Sequence, residues 1–161
     1  MAKVLAGRHT ARVEDPVAVF LIGMRINQLF AVHRWWPVFI AMGPMLRELA
    51  RFPDKGLLHS RVYWSGRTVL LVQYWRSFEH LEKFARNPND PHLPAWRRYN
   101  QRVGKSGVVG VFHETYLVQP DRIDAIYANM PAFGLGAATQ VVPVNAGSET
   151  ARRRVGAAAA D

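Results

Sequence analysis

The stretch Leu57 to Trp75, LLHSRVYWSGRTVLLVQYW, decides the fold. Two runs rich in Leu, Val, Tyr and Trp flank Ser65, Gly66 and Arg67, and β-forming residues on either side of a short Gly-containing turn predict an antiparallel hairpin. A lone hairpin is marginal in water and needs further strands or a helix against it. The flanking sequence supplies both.

Upstream, VAVFLIGMRI (Val17–Ile26) reads as a strand apolar on both faces and therefore buried on both. Asn27 is expected to cap the helix that follows, QLFAVHRWWPVFIAMGPMLRELARF, which is kinked where Pro37 and the Gly43–Pro44 pair interrupt it. Val38, Ala41, Met42, Met45, Leu46 and Leu49 recur at helical spacing and form its core stripe. FPDKG (Phe52–Gly56) ends it.

Downstream of the hairpin, Ser77 is an N-cap for a helix that turns Phe78, Leu81 and Phe84 to one side. The turn NPND (Asn87–Asp90) leads to a second helix in which Asp90 caps and Pro91 takes the first position. GVVGVFHETYLV (Gly107–Val118) is a long final strand. The order β, α, β, β, α, β specifies a ferredoxin-like α+β domain with an antiparallel sheet.

At 161 residues the chain fits one domain, placed at residues 8–143, with a low-complexity, flexible tail at 144–161. Met1–Pro16 shows no period, and a short helix is expected around Asp121 to Asn129. The absence of Cys removes disulfides, thiolate metal sites and thiol nucleophiles. The longest apolar run, Val17 to Met24, is too short to cross a bilayer, and no leader is evident, so a cytoplasmic location without membrane contact is expected.

The net charge of +9 raises nucleic acid as a partner. The arginines are scattered, however, and the one dense run, Arg152 to Arg154, sits beside an Ala-rich end as a solvated tail. Nucleic-acid binding is therefore not expected.

In this fold one sheet face packs on the helices and the other needs a cover. Alternate residues of Val17–Ile22 and of Val69–Trp75 are apolar on both sides, and an open patch of that size is uncommon on monomers. A second copy packed sheet to sheet is the expected cover, giving a homodimeric α+β barrel.

Candidate chemistry rests on His and aromatic residues. No His pair has ligand spacing, so no metal site is expected. His92 falls in the first turn of its helix, where the positive end of the macrodipole favours a neutral imidazole suited to a general base; Trp96 lies one turn on. His113 interrupts an apolar strand. Strand alternation sets His113 and Thr115 on one face, and Glu114 and Tyr116 on the other. His113 is read as pocket-lining, Glu114 as a buried partner of Arg25 or Arg76, and Arg25 as a cation that a buried strand tolerates only when paired. Trp64, Tyr74 and Tyr116 complete the expected substrate wall, with Trp75, Trp35 and Trp36 as further aromatic packing. His9, His33 and His80 read as peripheral.

Several motifs in order resemble a known family. GMRIN (Gly23–Asn27), QYWRSFEHLEKFAR (Gln73–Arg86), HLPAW (His92–Trp96), HETY (His113–Tyr116) and IYANMPAFGLGAA (Ile126–Ala138) are similar to the Af470-like monooxygenases over Arg8 to Pro143. The resemblance implies the dimeric barrel of antibiotic-biosynthesis monooxygenases. Some of these oxygenate phenolic or polyketide substrates with O₂ and no cofactor. It thus implies a cofactor-independent monooxygenase of a small apolar, phenolic, polyketide- or terpenoid-like substrate, for which the residues above offer His92 or His113 as base. Haem-binding relatives, including haem-degrading oxygenases and aldoxime dehydratases, give the alternative of a haem protein with one of those His as axial ligand. A non-catalytic dimer that binds a small ligand is the third reading.

Overall fold

A computed structural model of the chain describes residues 2–88, 97, 99, 101 and 105–156. Its strands are β1 (Leu5–Arg12), β2 (Val17–Ile26), β3 (Leu57–Ser65), β4 (Thr68–Trp75), β5 (Val109–Val118), β6 (Tyr127–Met130) and β7 (Gln140–Pro143). The helices are α1 (Val32–Ile40), α2 (Met42–Arg51) and α3 (Phe78–Arg86), with single turns α4 (Leu135–Ala138) and α5 (Ala151–Arg154).

The hairpin forms as its sequence dictates. β3 and β4 meet at the pair Ser65–Thr68, leaving a two-residue turn at Gly66 and Arg67. With β2 and β5 they make a four-stranded antiparallel sheet in the order β3-β4-β2-β5, which is the ferredoxin-like arrangement.

The expected kinked helix is instead two helices parted at Ala41. Pro44 has no N–H to return to the Ile40 carbonyl, so the ladder cannot run through this point. Asn27 does not cap α1. Its side-chain amide donates to the Gly107 carbonyl at 3.0 Å and its oxygen accepts from Arg25 at 2.9 Å, tying the end of β2 to the approach to β5. Ser77 does cap α3, its hydroxyl accepting from the His80 N–H. Leu81 and Phe84 face inward from α3, whereas Phe78 stays exposed.

One face of the sheet lies on these helices. Ala18 and Trp75 pack with Met45, Leu49, Leu81 and Phe84, and a second cluster gathers Met24, Ile26, Val108 and Val109. The buried Gln73 side chain is satisfied by the Trp75 indole N–H at 2.9 Å, so both polar groups enter the core paired. The Asp90 cap and first turn of the next expected helix lie outside the described residues, and the described residues 97, 99 and 101 are helical.

The ends of the chain depart from the expectation. Residues 5–12, where the sequence shows no period, form β1, the middle strand of a second sheet in the order β6-β1-β7. The helix expected at Asp121–Asn129 is replaced by a 3₁₀ turn at Pro120–Arg122 followed by β6. The stretch beyond Pro143, read as a low-complexity tail, folds back as far as Gly156. Arg154, expected in solvent, is partly buried: its Nε donates to Asp124 at 2.6 Å and its Nη1 to the Ser148 and Glu149 carbonyls.

Candidate functional site

The face of the four-stranded sheet opposite the helices carries one row of side chains that crosses every strand. Register pairing aligns His59 of β3 with Tyr74 of β4, Tyr74 with Val19 of β2, and Val19 with Tyr116 of β5. Residues 122–135 lie over the middle of this row. Between the segment and the sheet is a cleft of about 410 Å³, whose walls include Val19, Tyr74, Tyr127, Phe133 and Leu135. Apolar walls with a few convergent hydroxyls are the usual make-up of a small-molecule site.

Arg122, Asp124 and two phenols supply its polarity. The Gly136 N–H donates to the Tyr127 phenol oxygen at 2.9 Å, and the Tyr74 phenol lies beside Leu135 in the lining of the cleft. Burial pushes both hydroxyls above their ordinary ionisation range, and for Tyr74 the nearby Tyr127 and Tyr63 add to the rise. Both therefore remain protonated donors through neutral pH.

The glycines of the GLG motif make this approach possible. Gly134 has φ +54°, and a Cβ there would lie 3.1 Å from the Tyr74 hydroxyl; a Cβ on Gly136 would lie 2.8 Å from Val141 and 3.0 Å from the Tyr127 ring.

Beside Tyr74, the His59 ring sits at 6.4 Å centroid distance, tilted by 33°. Its Nε2 is buried with no hydrogen-bond partner. Burial, and then the positive charge of Arg61, hold this imidazole below the ordinary histidine value, so it is neutral at pH 7. Arg61 in turn lies over the Phe133 ring at 4.4 Å, fixing that wall by a cation–π contact.

Of the residues singled out from the sequence, Tyr74 lines the cleft. Tyr116 and Glu114 share its sheet face, as alternation requires, but both are exposed. The Tyr116 hydroxyl donates to Glu114, which raises the Tyr116 phenol further.

The expected pairing of Glu114 with Arg25 or Arg76 does not occur. Glu114 stands opposite Leu21, four positions from Arg25 along the strand, about 13 Å at the rise of a β-strand. Arg25 and Arg76 are both exposed, so neither needs a buried partner. His113 lies on the helix side of the sheet, exposed, 5.8 Å from the Phe20 ring, and cannot face the cleft. Trp64 is exposed on the same side at the far edge, its N–H donated to the Gly66 carbonyl. His92 and Trp96 lie outside the described residues. Among the described residues no three His, Asp or Glu side chains converge as a metal set, and no helix is long and apolar enough to cross a membrane.

His59, Tyr127 and Phe133 were missed. His59 carried a signal, as the one imidazole in the hairpin, in register with Tyr74. The IYANMPAFGLGAA stretch, though inside the expected domain, carries no strand or helix period because its Gly, Ala and Pro content is that of a linker.

Similarity to known proteins follows the same residues. The pattern of the "Monooxygenase af470-like" family matches residues 17–135, from β2 to the first residue of α4. A curated relative, "Monooxygenase af470" of Aspergillus fumigatus, is 30% identical over 157 residues. That alignment takes in 84% of this chain and 55% of the relative, so the chain spans about half the relative's length.

Among solved structures, SnoaB of Streptomyces nogalater, described as a cofactor-independent oxygenase, superposes with TM-score 0.42 at 14% identity, covering 65% of this chain and 94% of its own. Rv0793 of Mycobacterium tuberculosis gives 0.41 at 18% identity, covering 63% and 92%. On the family match over most of its length, the chain belongs to the monooxygenase af470-like family.

Proposed function

We propose that this chain is a monooxygenase that works without a bound cofactor on a small, largely apolar substrate of phenolic, polyketide or terpenoid type, held in the Tyr74–Tyr127 cleft. The observation that carries the reading is the state of the two phenols. The Tyr127 oxygen already accepts the Gly136 N–H, so its hydroxyl proton is left to donate to a substrate oxygen, and burial keeps the protons of both phenols in place. An enolate or phenolate formed against them is stabilised where its charge develops.

His59, which adjoins Tyr74 without itself lining the cleft, is the proposed proton acceptor, in place of His113, which faces away. A buried, unpartnered ring nitrogen is costly unless a ligand completes it, and a neutral imidazole accepts a proton at pH 7. The substrate carbanion then passes an electron to O₂, and recombination forms a carbon–oxygen bond as a hydroperoxide. Loss of water from a CH–OOH carbon leaves a carbonyl. The net change turns a CH₂ group and O₂ into C=O and H₂O, with all four electrons drawn from the substrate.

Oxygen uptake with a panel of anthrones and phenols, in chelator-treated protein without added haem or flavin, tests this. The expected result is one O₂ consumed per substrate, slowed about 100-fold or more in His59→Gln and by a similar factor in Tyr74→Phe. Uptake indifferent to both substitutions overturns the assignment of the cleft. Uptake that needs haemin, with a Soret band lost in His92→Ala or His113→Ala, points instead to a haem protein.

A homodimer belongs to the same reading. Residues 122–135 cover the Tyr74–Val19 end of the sheet, and Leu21, Leu70, Val72 and Phe112 share that face beyond the cleft's lining among the described residues. A second copy seated there hides them. Light scattering is expected to give twice the chain mass, reduced to one in Val72→Glu.

A further inference from the structure

We propose that the end of the molecule built from residues 25–40 and the β3–β4 turn docks on an anionic lipid surface. Leu29 and Phe30, on the loop before α1, are exposed, Phe30 completely. Val32, Trp36 and Ile40 follow at four-residue intervals, so they form one stripe along α1, and all three are exposed although Trp35, Val38 and Phe39 already serve the core. The stripe runs on to β3: Trp36 stacks on Phe39 at 5.5 Å, and Phe39 meets the exposed Trp64 edge to face at 5.6 Å. A contiguous apolar surface of this kind on a folded domain marks a contact site.

Charge selects the partner. No Asp or Glu occurs in residues 16–47 or 55–78, the stretches within which this end lies, whereas the end itself carries Arg25, Arg34 and Arg67. Arg25 and Arg67 are held at the base of the Leu29–Phe30 loop by hydrogen bonds to Asn27, at 2.9 and 3.5 Å, and Arg34 is exposed on α1.

A second copy is disfavoured here, because an isologous contact sets these arginines against themselves. Nucleic acid takes the charge but gains nothing from Leu29, Val32 or Ile40. An anionic bilayer interface takes both: Phe30 and the aliphatic groups enter the acyl boundary, the Trp36 and Trp64 indoles sit at headgroup level, and the guanidinium groups meet lipid phosphates and carboxylates. This is surface attachment. It needs no spanning helix and does not depend on the chemistry of the cleft.

Co-sedimentation with phosphatidylcholine vesicles, with and without phosphatidylserine, tests the proposal. Binding is expected only with phosphatidylserine, accompanied by a blue shift of Trp emission and reversed by high salt. Phe30→Glu, at a site whose side chain touches solvent alone, should lower partitioning about tenfold or more. Arg34→Glu should lower it several-fold, while Leu117→Glu, exposed on the opposite sheet edge, should leave it unchanged.

Circular dichroism confirms that each variant is folded. No binding to phosphatidylserine vesicles, equal binding to both compositions, or an equal loss in Leu117→Glu overturns the proposal. So does a dimer in lipid-free solution that Phe30→Glu abolishes, or capture on duplex DNA that survives it.

Discussion

The four-stranded sheet and the small β6-β1-β7 sheet differ in what holds them. The first buries Ala18 and Trp75 under α2 and α3, so its register is set by burial: a slip of one residue would turn both of these side chains outward. In the second, β1 has Thr10 as its buried side chain, and the hydroxyl donates to the Ala125 carbonyl at 2.8 Å. Its strands are joined by backbone pairing and by the close seat of α4, where Gly136 lets Tyr127 and Val141 approach. The candidate site lies where the two meet. One wall is rigid sheet and the other is a segment held by a few polar contacts, an arrangement suited to positioning chemistry on a scaffold.

Substitutions break or sharpen this contrast, in order of size. Trp75→Ala removes the largest side chain of the main core and its bond to Gln73, and should cost about 3–5 kcal/mol in urea unfolding. Gly134→Ala forces a side chain into a positive-φ position against Tyr74. It should cost about 1–3 kcal/mol, with the loss read locally as faster hydrogen exchange in α4 and β6 while β2 and β4 stay protected. Thr10→Ala in the second sheet should cost only about 1 kcal/mol.

The smallest expected effect is a pH dependence from His59, whose folded value is held below the ordinary 6.5. The unfolded chain then binds the proton more readily, so this contribution to stability is present above pH 6.5 and is lost as pH falls through the folded value. His59→Gln should flatten that part of the stability profile.

These differences mirror what the sequence made legible. The hairpin, the strand at Val17–Ile26, the strand ending in HETY and the Ser77 cap all leave a pattern, because burial on a sheet or helix imposes a period on apolar residues. LAGRHTAR and QVVP leave none: short strands that pair mainly through backbone groups constrain side chains little. The site was legible only at Tyr74. Arg25 and Glu114 were read as buried charges because strands apolar on both faces were taken as covered along their length, yet Arg25 lies at the open end of β2 and Glu114 on the edge strand β5. Conversely, Tyr127 and Phe133 enter the site through long-range docking of a Gly- and Ala-rich segment, which no local pattern reports.

Nuclear magnetic resonance titration with a phenolic ligand is the most direct test of where the site is. The cleft account predicts chemical-shift changes concentrated at Val19, Tyr74, Tyr127, Phe133 and Leu135, with His59 responding and His113 silent. Changes centred on His113 and the helix side of the sheet, with Tyr74 and Tyr127 unmoved, would contradict it.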